Sequence, residues 1–377
     1  MRGFTDVEFA NRTKRAQALM AEQDIAACLL TTEPEIRYFT GFLTRFWESP
    51  TRPWFIIVPQ SGKPIAVIPS IGADLMATTW IEDIRTWSSP DLQDDGVSLL
   101  IETCREVAQG GRVAIPDGHE TSVRMPQSDL HKLSEAITLA SDAGILRRLR
   151  MVKSQAEIDK ITTACQIAGK AFQRVPEIAS EGIPLDQIFR NFQILCLEEG
   201  ADWVPYLAGG AGQAGYTDVI SPATPNPLAN GDVLMLDTGL VYDGYFCDFD
   251  RNWSVGPPNS IVRDAHNRLI EVTQKGADAA RSGATAADVF NAMNNALTQG
   301  ANGTDVGRLG HGLGMSLTEW PSLIPTDDTV LESGMVLTLE PGIAVGDKIM
   351  VHEENILITE SAPLFLSPKA EPEIPVI

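Results

Sequence analysis

Two pairs of acidic residues limit what this chain can fold into. Asp237 and Asp248 stand on either side of an Asp243-Gly244 dipeptide, and Glu340 and Glu353 on either side of Gly346-Asp347. Asp-Gly between apolar runs is a hairpin signal. The spacing within each pair is odd and roughly centred on its turn. A bulge-free hairpin therefore turns both side chains to one face, and direct partners would have Cβ atoms about 4.5–5.5 Å apart. Carboxylates that close repel unless a proton or a cation lies between them. Each pair also adjoins a strongly apolar strand, Val233-Leu234-Met235-Leu236 before Asp237 and Met335-Val336-Leu337-Thr338-Leu339 before Glu340. Bare charge is costly there. Two such devices in one stretch of chain argue for a cation site.

His311 lies between the hairpins, in Leu309-Gly310-His311-Gly312-Leu313. The flanking glycines are expected to let the backbone approach an ion closely. One imidazole with four carboxylates is a hard, oxygen-rich donor set. It suits two divalent ions, manganese first, with iron, cobalt or zinc as alternatives. Two such ions about 3.5–4 Å apart would share and acidify a water, giving a nucleophile at neutral pH. The metal ligands are thus expected to be Asp237, Asp248, His311, Glu340 and Glu353, with His311, Glu340 and Glu353 also serving the reaction. His119, His131 and His266 read as surface or capping residues. Asp250 and Arg251 read as a structural ion pair. His352 points away from Glu353 in a regular strand, where a substrate or supporting role is open to it.

Length and charge bound the rest. A chain of 377 residues is comfortable for two domains, and 44% hydrophobic with 21% charged residues is globular composition. A net charge of −21 repels nucleic acid and anionic membrane. No apolar run approaches a membrane span of roughly 18 residues. The first residues lack the basic-then-apolar pattern of a signal peptide, so the expected compartment is the cytoplasm. Five widely spaced cysteines without a CxxC argue against a disulfide framework and against a thiolate zinc site.

Residues 1–150 alternate helices, near 5–24, 96–108 and 127–138, with strands, near 24–30, 54–58, 64–68, 112–115 and 138–140. That is an α/β pattern. A boundary falls near residue 150, where Ser154 and Glu157 have capping-box spacing and open a helix to about Arg174. Another helix should run from Leu185 to Glu199 and stop at Gly200. The second domain, 151–377, then shows helices followed by a strand pair, twice, with the later helices near 258–281 and 285–298.

These residues carry a resemblance. Asp237-Thr-Gly, Tyr245-Phe-Cys-Asp248-Phe-Asp-Arg251, Gly310-His311-Gly312, Thr338-Leu-Glu340-Pro341-Gly342 and Glu353-Glu354-Asn355 look like the motifs of the creatinase/prolidase/aminopeptidase P family, peptidase family M24. Ile36-Arg-Tyr38-Phe-Thr40-Gly41 resembles its N-terminal domain, and Met151-Val-Lys153-Ser154 its domain junction. The resemblance implies a creatinase-like α/β N-terminal domain followed by a pita-bread α+β catalytic domain, and a homodimer. It implies a metal-dependent hydrolase cleaving a C–N bond, of the Xaa-Pro dipeptidase or aminopeptidase P type.

Departures from the family pattern are informative. Family peptidases carry a histidine about seventeen residues before the first Asp ligand, where this chain has Val219-Ile220-Ser221-Pro222. They carry another seven residues after the metal histidine, where it has Thr318. Losing an oxyanion-type donor typically costs about 10²–10³ in rate. Creatinase itself works without metal and relies on the upstream histidine, so creatinase activity is not expected. The alternative is a small-molecule enzyme on the same fold, an ectoine hydrolase-like ring opening or a metal-dependent dimethylsulfoniopropionate lyase. A non-catalytic binding role is disfavoured because all five ligand positions are kept. Candidate substrate contacts are Arg45 or Arg52 on a carboxylate, Trp47 as an apolar wall, and Thr318 with Trp320 in place of the missing histidine.

Overall fold

The computed structural model describes residues 3–49, 52–298 and 307–377. The chain divides into two compact units, Met1–Arg150 and Met151–Ile377. The first is a six-stranded mixed sheet, in the order Asp83–Trp87, Ile65–Pro69, Phe55–Pro59, Ala27–Leu30, Val113–Ile115, Leu139–Ser141. Its central strands are buried along their length, which is why they read as unbroken apolar runs. Helices Asp6–Glu22, Val97–Ala108 and Gln127–Ala136 lie within two residues of their expected ends. The short helix Glu33–Thr40 and the strand Asp83–Trp87 had no clear sequence signal.

The second unit opens on the helix Gln155–Gln173, and both halves of its capping box form: Ser154 Oγ accepts from Glu157 N, and Glu157 from Ser154 N. Helix Leu185–Glu198 stops before Gly200, whose φ is +114°. Together they back a sheet of Trp203–Gln213, Asp232–Tyr242, Tyr245–Phe246 and Phe249–Ser254. Helices Ser260–Ala279 and Ala286–Thr298 follow, then a five-stranded sheet and a separate hairpin, Gly342–Val345 with Lys348–Val351. A helix pair followed by strands thus occurs twice.

The strand Trp203–Gln213 escaped the sequence because Pro205 and three glycines interrupt its pattern. Gly209 is there for close approach, since a Cβ would lie 2.2 Å from the Met235 carbonyl oxygen. His266 is a correction: it is buried, with Nε2 3.0 Å from the Glu371 carbonyl oxygen. His119 and His131 are exposed as expected. All five cysteines are free and buried. Among the described residues no helix is long and apolar enough to cross a membrane.

A buried ion pair, Lys153 Nζ to Glu319 Oε2 at 3.2 Å, ties the residues just before the helix Gln155–Gln173 to the start of the strand Glu319–Ser322. The other Glu319 oxygen accepts from Met315 N and Ser316 N. Removing one partner strands a buried charge. Lys153→Met should therefore cost about 3–5 kcal/mol in a denaturant titration.

Candidate metal centre

The two hairpins meet their expectations differently. On the second, Leu339 faces Glu354 and Gly342 faces Val351, in one unbroken register. Counting between them sets Glu340 opposite Glu353, as the sequence predicts. The first hairpin is offset. Asp243 and Gly244, at φ +47° and +85°, form a two-residue turn that closes Tyr242 on Tyr245. The register it sets pairs Asp237 with Asp250, not with Asp248. Asp248 instead sits in the short break between Tyr245–Phe246 and Phe249–Ser254, two positions along the same face. Asn355 holds that break, accepting from Asp248 N at 3.0 Å and donating to the Asp248 carbonyl oxygen.

The result is a cluster in the second unit. Ligand atoms of Asp248, His311 and Glu353 all lie within 4.8 Å of one another. His311 Nε2 is 3.4 Å from Asp248 Oδ2 and 4.0 Å from Glu340 Oε2. Its Nδ1 lies 2.8 Å from the Gly312 carbonyl oxygen, which can only accept. Burial lowers the His311 pKa to about 4, with Arg308 adding to the effect. The neutral ring thus carries its proton on Nδ1 and turns a bare Nε2 to the carboxylates. The glycines flanking His311 serve a different purpose from the one expected. A Cβ on Gly310 would meet the Thr338 carbonyl oxygen at 2.2 Å, and one on Gly312 the Trp320 carbonyl oxygen at 2.0 Å. They admit neighbouring strands, not an ion.

Electrostatically the cluster is unbalanced. Burial, and then Asp250, push Asp237 up to about 8; burial raises Glu340 to about 7 against the pull of Arg308. Burial and neighbouring carboxylates hold Asp248 and Glu353 well above the carboxylate range. Asp237 Oδ1, Asp248 Oδ1, Asp250 Oδ2 and Glu353 Oε1 are buried without a hydrogen-bond partner among the described residues. Buried carboxylate oxygens are normally satisfied. Orphaned carboxylate oxygens of Asp248 and Glu353 beside one imidazole nitrogen, with another on Asp237 in the same cluster, are what divalent cations with oxygen ligands would satisfy, so the residues fit such ions.

The cluster opens on a cavity of about 800 Å³ whose lining includes Asp237, Asp250, Glu340 and Glu353. Sequence reasoning missed two other residues there. Tyr206 donates to Asp237 Oδ2 at 3.0 Å, and it lies on the strand the sequence concealed. Arg308 Nε is 3.3 Å from Glu340 Oε1, and its Nη2 donates to Thr318 Oγ1 at 3.3 Å. A lone arginine three residues before the motif histidine was the available signal. Asp250 was read as the partner of Arg251, yet Arg251 binds Glu354 with 3.0 and 3.1 Å contacts.

The predicted substrate contacts are dispersed. Thr318 is half-buried beside Arg308. Trp320 packs in the hydrophobic core with Leu309 and Leu323. His352 is buried behind the cluster, Nδ1 3.5 Å from Asp250 Oδ1 and Nε2 3.4 Å from Glu354 Oε1. Burial opposes its protonation, but those two carboxylates raise its pKa, and Arg251 with His352 brings buried Glu354 down to about 2. Arg45, Trp47 and Arg52 belong to the first unit. There Arg45 is exposed, Trp47 packs on Trp54 at 5.8 Å under Arg124, and Arg52 lies over Phe46 at 5.3 Å. Pro50 and Thr51 of that loop lie outside the described residues.

Known proteins resemble this chain in sequence and fold. The family model described as metallopeptidase family M24 matches residues 159–360, and the creatinase/prolidase N-terminal domain model matches residues 12–152. The chain is 27% identical over 376 residues to a probable dipeptidase PepE of Mycobacterium tuberculosis, covering 96% of this chain and 97% of that one. It is 31% identical over 235 residues to the Xaa-Pro dipeptidase of Pyrococcus furiosus, covering 61% of this chain and 66% of that one. The crystal structure of dipeptidase PepE from Mycobacterium ulcerans superposes with a TM-score of 0.85 at 26% identity, covering 99% of both chains. Recombinant prolidase from Thermococcus sibiricus shares the fold, with a TM-score of 0.86 at 23% identity over the whole of both chains.

Proposed function

The chain belongs to metallopeptidase family M24, and from that premise we propose that it hydrolyses the peptide bond of dipeptides, Xaa-Pro dipeptides among them. Its N-terminal domain is of the creatinase/prolidase type and its C-terminal domain is the pita-bread domain of that family. The observation that carries the proposal is the gathering of Asp248, His311 and Glu353 ligand atoms within 4.8 Å, with orphaned buried carboxylate oxygens, next to a cavity lined by Asp237, Glu340 and Glu353.

Asp237, Asp248, His311, Glu340 and Glu353 are the proposed ligands of two divalent ions, manganese first. When bound, such ions polarise a carbonyl and make water nucleophilic at neutral pH. The protein's own groups do the rest. Glu340, facing the cavity, accepts a proton from the attacking water and delivers it to the departing amine. Arg308 orients the Glu340 carboxylate. The Tyr206 hydroxyl fixes that of Asp237. Val219 and Ile220 stand where the resemblance would place a histidine. They line the cavity with apolar surface, which favours apolar substrate side chains. Arg45, Trp47 and Arg52 are proposed substrate contacts delivered by a second copy of the chain in a homodimer, and the proposed compartment is the cytoplasm.

Metal analysis and a panel of Xaa-Pro and other apolar dipeptides test the proposal. About two ions per chain with manganese-dependent turnover is the expected result. Arg308→Ala should lower kcat by about tenfold while leaving the metal content intact. Two ions with no dipeptide turned over would move the assignment to a small-molecule substrate. The absent accessory histidines favour that second reading.

A further inference from the structure

The five proposed ligands are not held equally well. Asp237 lies inside the strand Asp232–Tyr242 and is paired on both sides. Glu340 and Glu353 share one hairpin. Asp248 and His311 have no such support. Asp248 sits in the break between Tyr245–Phe246 and Phe249–Ser254, and His311 begins a two-residue strand whose register shifts at once. Yet these two come together, with His311 Nε2 3.4 Å from Asp248 Oδ2.

The groups that reach both of them stand on a neighbouring rung of the glutamate hairpin. Thr338 and Asn355 are direct cross-strand partners, and each is 0% exposed. Residues facing each other across an antiparallel pair share a face, and so do residues two apart along a strand. Thr338 and Asn355 therefore stand on the same face as Glu340 and Glu353, further from the turn. Thr338 Oγ1 accepts from His311 N at 3.1 Å. Asn355 Oδ1 accepts from Asp248 N at 3.0 Å, and its Nδ2 donates to the Asp248 carbonyl oxygen. A backbone N–H only donates and a carbonyl only accepts, so the amide has one possible orientation. The asparagine is held in turn: Cys165 Sγ lies 3.2 Å from its Oδ1, and Ser367 Oγ accepts from its N at 2.9 Å.

We propose that Thr338 and Asn355 are positioning residues of the metal centre. They grip the backbones of His311 and Asp248, leaving both side chains free for an ion. One rung thus fixes the imidazole and the carboxylate relative to the two glutamates on the same face. The inference rests on the two-ion reading above, in which His311 and Asp248 are ligands.

The test is calorimetric titration of manganese into the metal-free full chain, with His311→Ala as the reference that identifies the ion the imidazole holds. Thr338→Val keeps the side-chain shape and loses the acceptor. It should weaken that ion by about 10–100-fold, the usual effect of losing a group that orients a ligand. Thr338→Ser keeps the hydroxyl and should bind manganese as the wild type does. Asn355→Ala, which removes two hydrogen bonds to Asp248, should weaken manganese at least as much as Thr338→Val. Should that variant fail to fold, the threonine pair decides the matter alone. A rung that is only structural would lower the melting temperature in chelator and leave the dissociation constants unchanged, which overturns the proposal. A Thr338→Ser protein that binds as weakly as Thr338→Val overturns it too. The two readings separate in the wild type. A wild-type chain that binds no manganese overturns the two-ion reading and this inference together. Wild-type affinity in the variants of a chain that binds two ions overturns the inference alone.

Discussion

Asp248→Asn should lower peptidase activity by on the order of 10³-fold at saturating manganese, and it should do so while making the metal-free protein more stable. The first effect follows from position. Asp248 belongs to the tight group with His311 and Glu353. Losing a partner that merely orients a ligand typically costs about 10–100-fold, so losing a ligand costs more. The second effect follows from the crowd of buried acids that lifts Asp248 far out of the carboxylate range. A neutral isostere has no carboxylate to protonate or bury on folding and should stabilise the metal-free chain by on the order of 1 kcal/mol or more. With metal present the order reverses, because ions at 100-fold over their Kd contribute about 2.7 kcal/mol to a chain that binds them. Thermal melts of both proteins, with chelator and with manganese, read the crossing. A metal-free variant less stable than the wild type would show that the carboxylate is structural.

The metal-free protein should also lose stability as pH rises through neutrality. Asp237 and Glu340 have folded-state pKa values pushed up to about 8 and about 7, from ordinary values of 3.8 and 4.5. Between the ordinary and the raised value the folded chain holds more protons than the unfolded one. Stability therefore falls with rising pH, by about 1.4 kcal/mol per pH unit for each extra proton. His311 works the other way, with its pKa lowered from 6.5 to about 4, so below pH 6.5 it offsets part of the trend. The uncompensated window is pH 6.5 to 8. Melts in chelator across that window should show a falling Tm, and saturating manganese should remove the slope by displacing those protons. A flat profile in chelator would mean that the acids are already ionised and solvated.

How much was legible in the sequence depended on how local the information was. Ser154 and Glu157 specify a helix start through contacts three residues apart, and both contacts form. Glu340 and Glu353 are placed by one register that runs through a turn between them, so their spacing could be counted. Asp237 and Asp248 could be assigned to one face but not to one rung. The two-residue turn moved the centre of the hairpin along by one residue and promoted Asp250 to the facing position. Tyr206 was hidden because the strand that carries it is held by close backbone approach at Gly209, not by an alternating pattern. Arg308 offered only its nearness to the motif histidine, because its partner Glu340 arrives from a distant stretch of chain.

The unbroken register around Glu340 and Glu353 has a kinetic consequence. The glutamate pair can form as soon as its own hairpin closes, whereas Asp248 and His311 reach it only across long stretches of chain. Loop closure makes such non-local contacts late events. Metal capture should accordingly be the last step of refolding, and the rate at which manganese is taken up would time the completion of the second domain.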